Sequence, residues 1–195
     1  MFLVFEGMNG SGKTTQMMEV AKYYFDKRKD VLLTKEPSNS PIGKQIREIC
    51  LKQKDPMSYS EELLELFVKD RRWHLENVVI PALSRGIVVL CDRYYFSNIA
   101  YQATQGIDMK KIIEANKEFI KPDKTFLFDL PAELAFKRVE SRGREKRKFE
   151  RLQFMKRLRK NYLKLKSILK EPIVLIDASR TVEEIFEDLK KELPM

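Results

Sequence analysis

A chain of 195 residues that is 43% hydrophobic can bury one sizeable core and fits one domain better than two. It contains no run of about 18 apolar residues, and its first residues pass straight from a short apolar run into a glycine-rich motif, so neither a membrane span nor a signal peptide is expected and a cytoplasmic protein is. The net charge of +9 is local: residues 137 to 170 hold 15 Lys and Arg against Glu140, Glu145 and Glu150, +12 in one stretch, leaving −3 for the rest.

In chain order, the apolar run Phe2 to Phe5 leads through Glu6 into Gly7-Met8-Asn9-Gly10-Ser11-Gly12-Lys13-Thr14, a complete G-x-x-x-x-G-K-[ST] loop, followed by Thr15. Its glycines let backbone N–H groups turn inward around phosphates, Lys13 can reach the β- and γ-phosphates, and Thr14 can ligate Mg²⁺. ATP and Mg²⁺ are therefore expected. A helix from Lys13 to about Lys27 follows, burying Met17, Val20, Ala21 and Tyr24. A second apolar run, Val31 to Leu33, ends in Lys35-Glu36-Pro37 and a Ser-, Asn- and Pro-containing loop that can wall in an acceptor.

The next helix is expected from Glu61 to Leu83 with Ser60 as its N-cap, and it sets Phe67 and Arg71 one turn apart, an aromatic face beside a fork of donors. After the run Ile87 to Cys91 come Asp92 and Arg93. Asp92 can hold a metal-bound water or orient Arg93, and Arg93 can clamp a phosphate. The run Thr125 to Leu130 precedes a basic connection, Ser141 to Lys148, then a helix over Phe149 to Leu169 with Phe154, Leu158, Tyr162, Leu165 and Leu169 on one face and lysines and arginines outward. The run Ile173 to Ile176, closed by Asp177, and a helix from Val182 to Leu193 complete the chain. Two distant cysteines, Cys50 and Cys91, and a single histidine suggest reduced, core-packed thiols rather than a disulfide or a metal cage.

Continuous apolar runs alternating with helices predict a parallel sheet covered on both faces, a doubly wound three-layer α/β domain spanning residues 1–195. Ligands on such sheets sit beyond the strands' carboxyl ends, where Glu6, Glu36, Asp92 and Arg93 fall. The basic stretch suits a segment closing over a polyphosphate better than one holding nucleic acid, because a triphosphate loop is already present.

Together these residues resemble the thymidylate kinase family over nearly the whole chain. The carriers are Phe5-Glu6-Gly7 through Thr15, Thr34-Lys35-Glu36-Pro37, Leu64 to Arg71, and Asp92-Arg93-Tyr94-Tyr95-Phe96-Ser97-Asn98-Ile99-Ala100-Tyr101-Gln102, the most specific match. The resemblance implies a P-loop nucleoside monophosphate kinase fold with a five-stranded sheet, a homodimer, and phosphorylation of dTMP by ATP. It implies that Phe67 stacks on the base, Arg71 reaches a thymine carbonyl, Asn98 and Gln102 meet the base, and Tyr101 excludes a 2′-hydroxyl. Arg93 would bind the acceptor phosphate, Asp92 would serve the phosphate and metal region, and Asn9 and Glu36 would border the acceptor.

Gly10 stands where one branch of the family has arginine, so the chain resembles the other branch, whose catalytic arginine comes from the lid; the resemblance implies Arg142, Arg144 or Arg147, with Arg144 favoured. The lid is expected at about 141–150. Three positions depart from the family pattern: Asn9 for an acidic residue, Lys35 for arginine, and Arg147-Lys148 for an Asp-Arg pair. The rival readings are a deoxynucleoside kinase and a nucleic-acid-binding ATPase; no nucleic-acid partner is expected.

Overall fold

The computed structural model describes residues 1–52, 59–140 and 148–194. In chain order the elements are β1 (Phe2–Gly7), α1 (Lys13–Asp26), β2 (Val31–Lys35), α2 (Pro41–Lys52), α3 (Ser60–His74), a π-helical turn (Leu75–Val79), α4 (Ile80–Ser84) and β3 (Val88–Asp92). They continue with α5 (Tyr95–Thr104), α6 (Met109–Asn116), β4 (Lys124–Asp129), α7 (Ala132–Glu140), α8 (Lys148–Ile168), β5 (Ile173–Asp177) and α9 (Val182–Glu192).

The five strands form one parallel sheet in the order β2-β3-β1-β4-β5. All six residues of β1 are buried, so helices cover both of its faces, with α1 and α5 against it. The Phe5 ring packs 5.6 Å from Phe126 and 6.1 Å from Phe128 of β4. The edge strands depart from the expected two-sided cover. Leu33 in β2 and Leu175 in β5 are 39% and 42% exposed, because these outer strands pack mainly against one helix each, α1 on β2 and α9 on β5.

From β1 the chain runs to β2 on one side of the sheet, and from β3 it crosses to β4 on the other. The loops leaving the carboxyl ends of β1 and β3 therefore diverge and open a crevice. The register pairs Phe5 with Asp92 across that gap, which sets the loop after β1 beside Arg93.

Several local expectations change. Tyr59 occupies the cap position of α3 at φ 62° and Ser60 is its first helical residue, so no serine side chain caps this helix. The segment after Pro37 is not all loop, since α2 starts at Pro41. Cys91 is buried in β3, whereas Cys50 on α2 is exposed and is no part of the core. On α8, Arg159 does not face water alone but forms a bidentate pair with Asp129 at 2.7 and 2.8 Å.

Candidate active site

The loop after β1 curls because its glycines take backbone angles closed to other residues. Gly10 lies at φ +86°, and a Cβ on it would sit 2.9 Å from the carbonyl oxygen of Ala135. Gly12, also left-handed, leads into α1, whose N-terminus faces the loop. Lys13 is 6% exposed and folds back over the loop, its Nζ donating to the carbonyls of Gly7 and Met8, both at 3.0 Å. Burial and repulsion from Arg93, partly offset by Asp92 and Glu6, lower its pKa to about 7.

A cleft of about 780 Å³ opens over this loop, lined by Asn9, Gly10, Gly12, Lys13, Thr14 and Thr15 together with Asp92, Arg93 and Arg138. Gly7 and Met8 contribute through the carbonyls that hold Lys13, and the Ser11 hydroxyl is turned inward, without a hydrogen bond among the described residues. Thr14 Oγ1 donates to Asp92 Oδ2 at 3.1 Å, while buried Asp92 Oδ1 has no partner among the described residues. Among those residues no cluster of three His, Cys, Asp or Glu side chains could hold a metal. One hydroxyl beside one carboxylate with an unused oxygen instead fits a hard cation that draws its other oxygens from phosphate and water, as Mg²⁺ does.

A second cavity, of about 340 Å³, lies on the other side of Arg93. It is lined by all eight residues expected to meet the acceptor: Asn9, Glu36, Phe67, Arg71, Arg93, Asn98, Tyr101 and Gln102. Asn9 and Arg93 line both spaces, so the two meet there. Phe67 is half-buried, lines the cavity and is not part of the hydrophobic core among the described residues.

Arg71 is 1% exposed, paired through Nε and Nη2 with Glu36 Oε2 at 2.9 and 2.8 Å and seated over the rings of Tyr94 and Phe119 at 5.2 and 5.5 Å. His74 Nδ1 lies 3.3 Å from the other Glu36 oxygen, and its Nε2 lies 2.7 Å from Thr34 Oγ1. The loop carrying Glu36 is tied to α3, because Asp70 accepts from Ser38 N, Ser38 Oγ and Ser40 Oγ at 2.6 to 2.7 Å.

Arg93 stands between the two spaces at φ 74°, a left-handed conformation that costs energy for a residue with a Cβ. Surrounding groups over-determine it. Nη1 donates to Ser97 Oγ (2.8 Å) and Tyr162 Oη (3.0 Å), Nη2 donates to Asn9 Oδ1 (2.6 Å), and the guanidinium lies 5.5 Å from the Tyr101 ring. Asp92 does not orient it by a hydrogen bond; the carboxylate turns to Thr14 instead.

Behind Arg93 sits Glu6, fully buried. Glu6 Oε1 accepts from the backbone N–H groups of Tyr94 and Ser97, capping α5, and Oε2 accepts from the hydroxyls of Ser97 and Tyr162. Burial pushes the Glu6 carboxyl pKa up, against the lowering effect of Arg93 and these hydrogen bonds. Burial would lower the Arg93 pKa, but Tyr101, Tyr162, Glu6 and Asp92 raise it above the usual guanidinium value, so the charge is permanent.

Ser97, Tyr162 and Arg138 were not singled out by sequence reasoning. Tyr162 reads as one more apolar position on α8, and its hydroxyl carries no signal until α8 is packed on α5. Arg138 is one of many cations in the basic stretch, yet it reaches the carbonyls of Gly10 (3.4 Å) and Ala178 (3.1 Å) at the loop cleft. The expected lid arginines Arg142, Arg144 and Arg147 lie outside the described residues.

A triphosphate loop that shares a fixed arginine with a half-open, partly aromatic cavity fits a nucleoside monophosphate kinase, an enzyme that moves a phosphoryl group from one nucleotide to another. The sequence profile described as "Thymidylate kinase" matches residues 5–189. A "Probable thymidylate kinase" of Pyrococcus horikoshii is 40% identical over 192 residues, covering 96% of this chain and 93% of the relative. That of Archaeoglobus fulgidus is 40% identical over 192 residues (98% and 93%), and a "Thymidylate kinase" of Caldicellulosiruptor saccharolyticus 38% over 197 (97% and 94%). The chain belongs to the thymidylate kinase family.

Proposed function

We propose that this protein transfers the γ-phosphoryl group of ATP to dTMP, giving dTDP and ADP on the way to dTTP. The observation that carries the reading is that Asn9 and Arg93 line both the cleft over the phosphate loop and the acceptor cavity, so the phosphates of two nucleotides can meet there. Family membership names the substrates; the juxtaposition gives them a common edge.

The loop amides and Lys13 hold the donor's phosphates, and Arg93 fixes the acceptor phosphate in line with them. The protein does little covalent chemistry in such a transfer and contributes placement and charge. Phe67 lies against the base, with Arg71, Asn98 and Gln102 at its edge; Tyr101, Asn9 and Glu36 border the sugar and phosphate. Thr14 and Asp92 would hold Mg²⁺, which when bound shields the donor's phosphate charge. The arginine that neutralises the transferred phosphoryl comes from the lid at about 141–150, with Arg144 our choice over Arg142 and Arg147. We further infer one cytoplasmic domain acting as a homodimer, without a nucleic-acid or membrane partner; among the described residues no helix is long and apolar enough to cross a membrane.

The test is coupled ADP release with ATP and a panel of acceptors. dTMP should turn over far faster than thymidine, UMP or AMP. Turnover of thymidine in preference to dTMP would make the protein a deoxynucleoside kinase, and DNA-stimulated hydrolysis with no monophosphate acceptor would favour a nucleic-acid-dependent ATPase.

A further inference from the structure

We infer that Asn116, a buried residue behind the acceptor cavity that does not line it, is a positioning residue that sets which pyrimidine the cavity accepts; the inference rests on reading that cavity as the seat of the dTMP base. Asn116 is the last residue of α6. Its side-chain NH₂ donates to the carbonyl of Ile112 at 2.8 Å and to Asn98 Oδ1 at 3.0 Å, and its own Oδ1 accepts from Arg71 Nη1.

Both anchors have a single polarity: a backbone carbonyl only accepts and a guanidinium only donates. A reversed Asn116 would set oxygen against the Ile112 carbonyl and NH₂ against the Arg71 cation. Its orientation is therefore fixed by the Ile112 carbonyl outside the cavity and by Arg71 in the cavity wall.

That orientation passes to the next amide. Because Asn116 donates to it, Asn98 turns Oδ1 toward Asn116 and Arg71, and its Nδ2 donates to Gln102 Oε1 at 2.8 Å. Arg71 Nη1 lies 3.4 Å from Asn98 Oδ1, long for a hydrogen bond, which leaves that oxygen able to accept another N–H. The cavity wall thus carries a donor, Arg71, beside an acceptor, Asn98 Oδ1.

A 4-keto pyrimidine presents the complement, a carbonyl oxygen beside an N3–H. Cytosine presents the reverse, an amino group beside a bare ring nitrogen, so it would set donor against donor and acceptor against acceptor. Buried mismatches of this kind discriminate strongly because neither member can turn to water. With Asn116 removed, Asn98 keeps only the 3.4 Å approach of Arg71 and its bond to Gln102, whose own amide can turn, so the wall's polarity is held far less firmly.

The test compares kcat and KM for dTMP, dUMP and dCMP at saturating ATP in the unaltered protein, Asn116→Asp and Asn116→Ala. The aspartate keeps an acceptor for Arg71 but has no NH₂ for Asn98; the alanine removes both. At least a tenfold fall in the dTMP to dCMP ratio of kcat/KM is expected, carried by the acceptor KM. The dTMP to dUMP ratio, which reads only the 5-methyl group, and the KM for ATP should stay within about twofold. An equal fall for all three acceptors, with the ratios kept, would reduce Asn116 to a structural residue and overturn the inference.

Should neither variant fold, Asn116→Ser, which keeps a small polar side chain, is put through the same comparison: a fall in the dTMP to dCMP ratio is expected, and an equal fall for all three acceptors with the ratios kept overturns the inference. Failure of the unaltered protein to use dTMP would overturn the reading beneath the inference, and it is recognised without any variant.

Discussion

At the scale of single residues, the chemistry depends on cations held where water is scarce. Lys13 has a pKa of about 7 without nucleotide, and phosphates beside it restore its charge. Well below pH 7 the ammonium is already present and Lys13 takes up no proton on binding. Above pH 7 binding must draw up to one proton onto Lys13, so ATP affinity should fall as pH rises from 7 toward the higher pKa of the bound state. Calorimetry of ATP binding at pH 8 in buffers of different ionisation enthalpy is expected to report this uptake, and Lys13→Met should abolish it.

Arg93→Ala should lower kcat/KM for dTMP by about a hundredfold or more, roughly 3 kcal/mol for a lost charge-assisted phosphate contact, while ATP affinity changes little. Steady-state kinetics beside ATP titration separate the two effects. Phe67→Ala is expected to raise the KM for dTMP more than it lowers kcat and to leave the melting temperature within a few degrees, since the ring faces the cavity. Loss of folding would return Phe67 to the core.

At the scale of elements, the acceptor cavity is held by cross-ties between parts distant in the chain. α3 supplies Phe67 and Arg71 from one face and Asp70 from the next, and Asp70 gathers the Ser38 to Ser40 turn beneath Glu36. Asp70→Ala removes three hydrogen bonds to a buried carboxylate and should cost about 3 kcal/mol, a fall in melting temperature of roughly 6–12 °C, and weaken dTMP binding through the freed Glu36 loop. Thermal denaturation and dTMP titration check both parts; unchanged dTMP affinity in a destabilised variant would confine Asp70 to stability.

What the sequence made legible follows the same division. The strands and the phosphate loop were readable because continuous apolar runs and a fixed glycine spacing are local signals, and the Phe67 and Arg71 pair was readable because helical spacing joins them. α2, α5, α6 and α7 were not placed: α6 and α7 are short, α5 is buried nearly all round, which erases the apolar stripe, and α2 follows directly on a Ser-, Asn- and Pro-containing segment that reads as loop. The Glu6 cap on α5 and the hydroxyl of Tyr162 on Arg93 join residues 88 or more and 69 positions apart, and nothing in local spacing announces them.

At the scale of the whole molecule, the order β2-β3-β1-β4-β5 sends the chain away from β1 and β3 in opposite directions and leaves a crevice with a phosphate loop on one wall and Arg93 on the other. The central claim is that donor and acceptor lie end to end across that crevice. The most direct measurement is the affinity of a linked dinucleotide, thymidine and adenosine joined 5′ to 5′ by five phosphates, determined by calorimetry beside ATP and dTMP. One molecule per chain should bind at least a hundredfold more tightly than either nucleotide alone and displace both, because joining two ligands on adjoining sites makes the second contact intramolecular. Binding no tighter than that of the better single nucleotide, with the other still able to bind, would contradict the account.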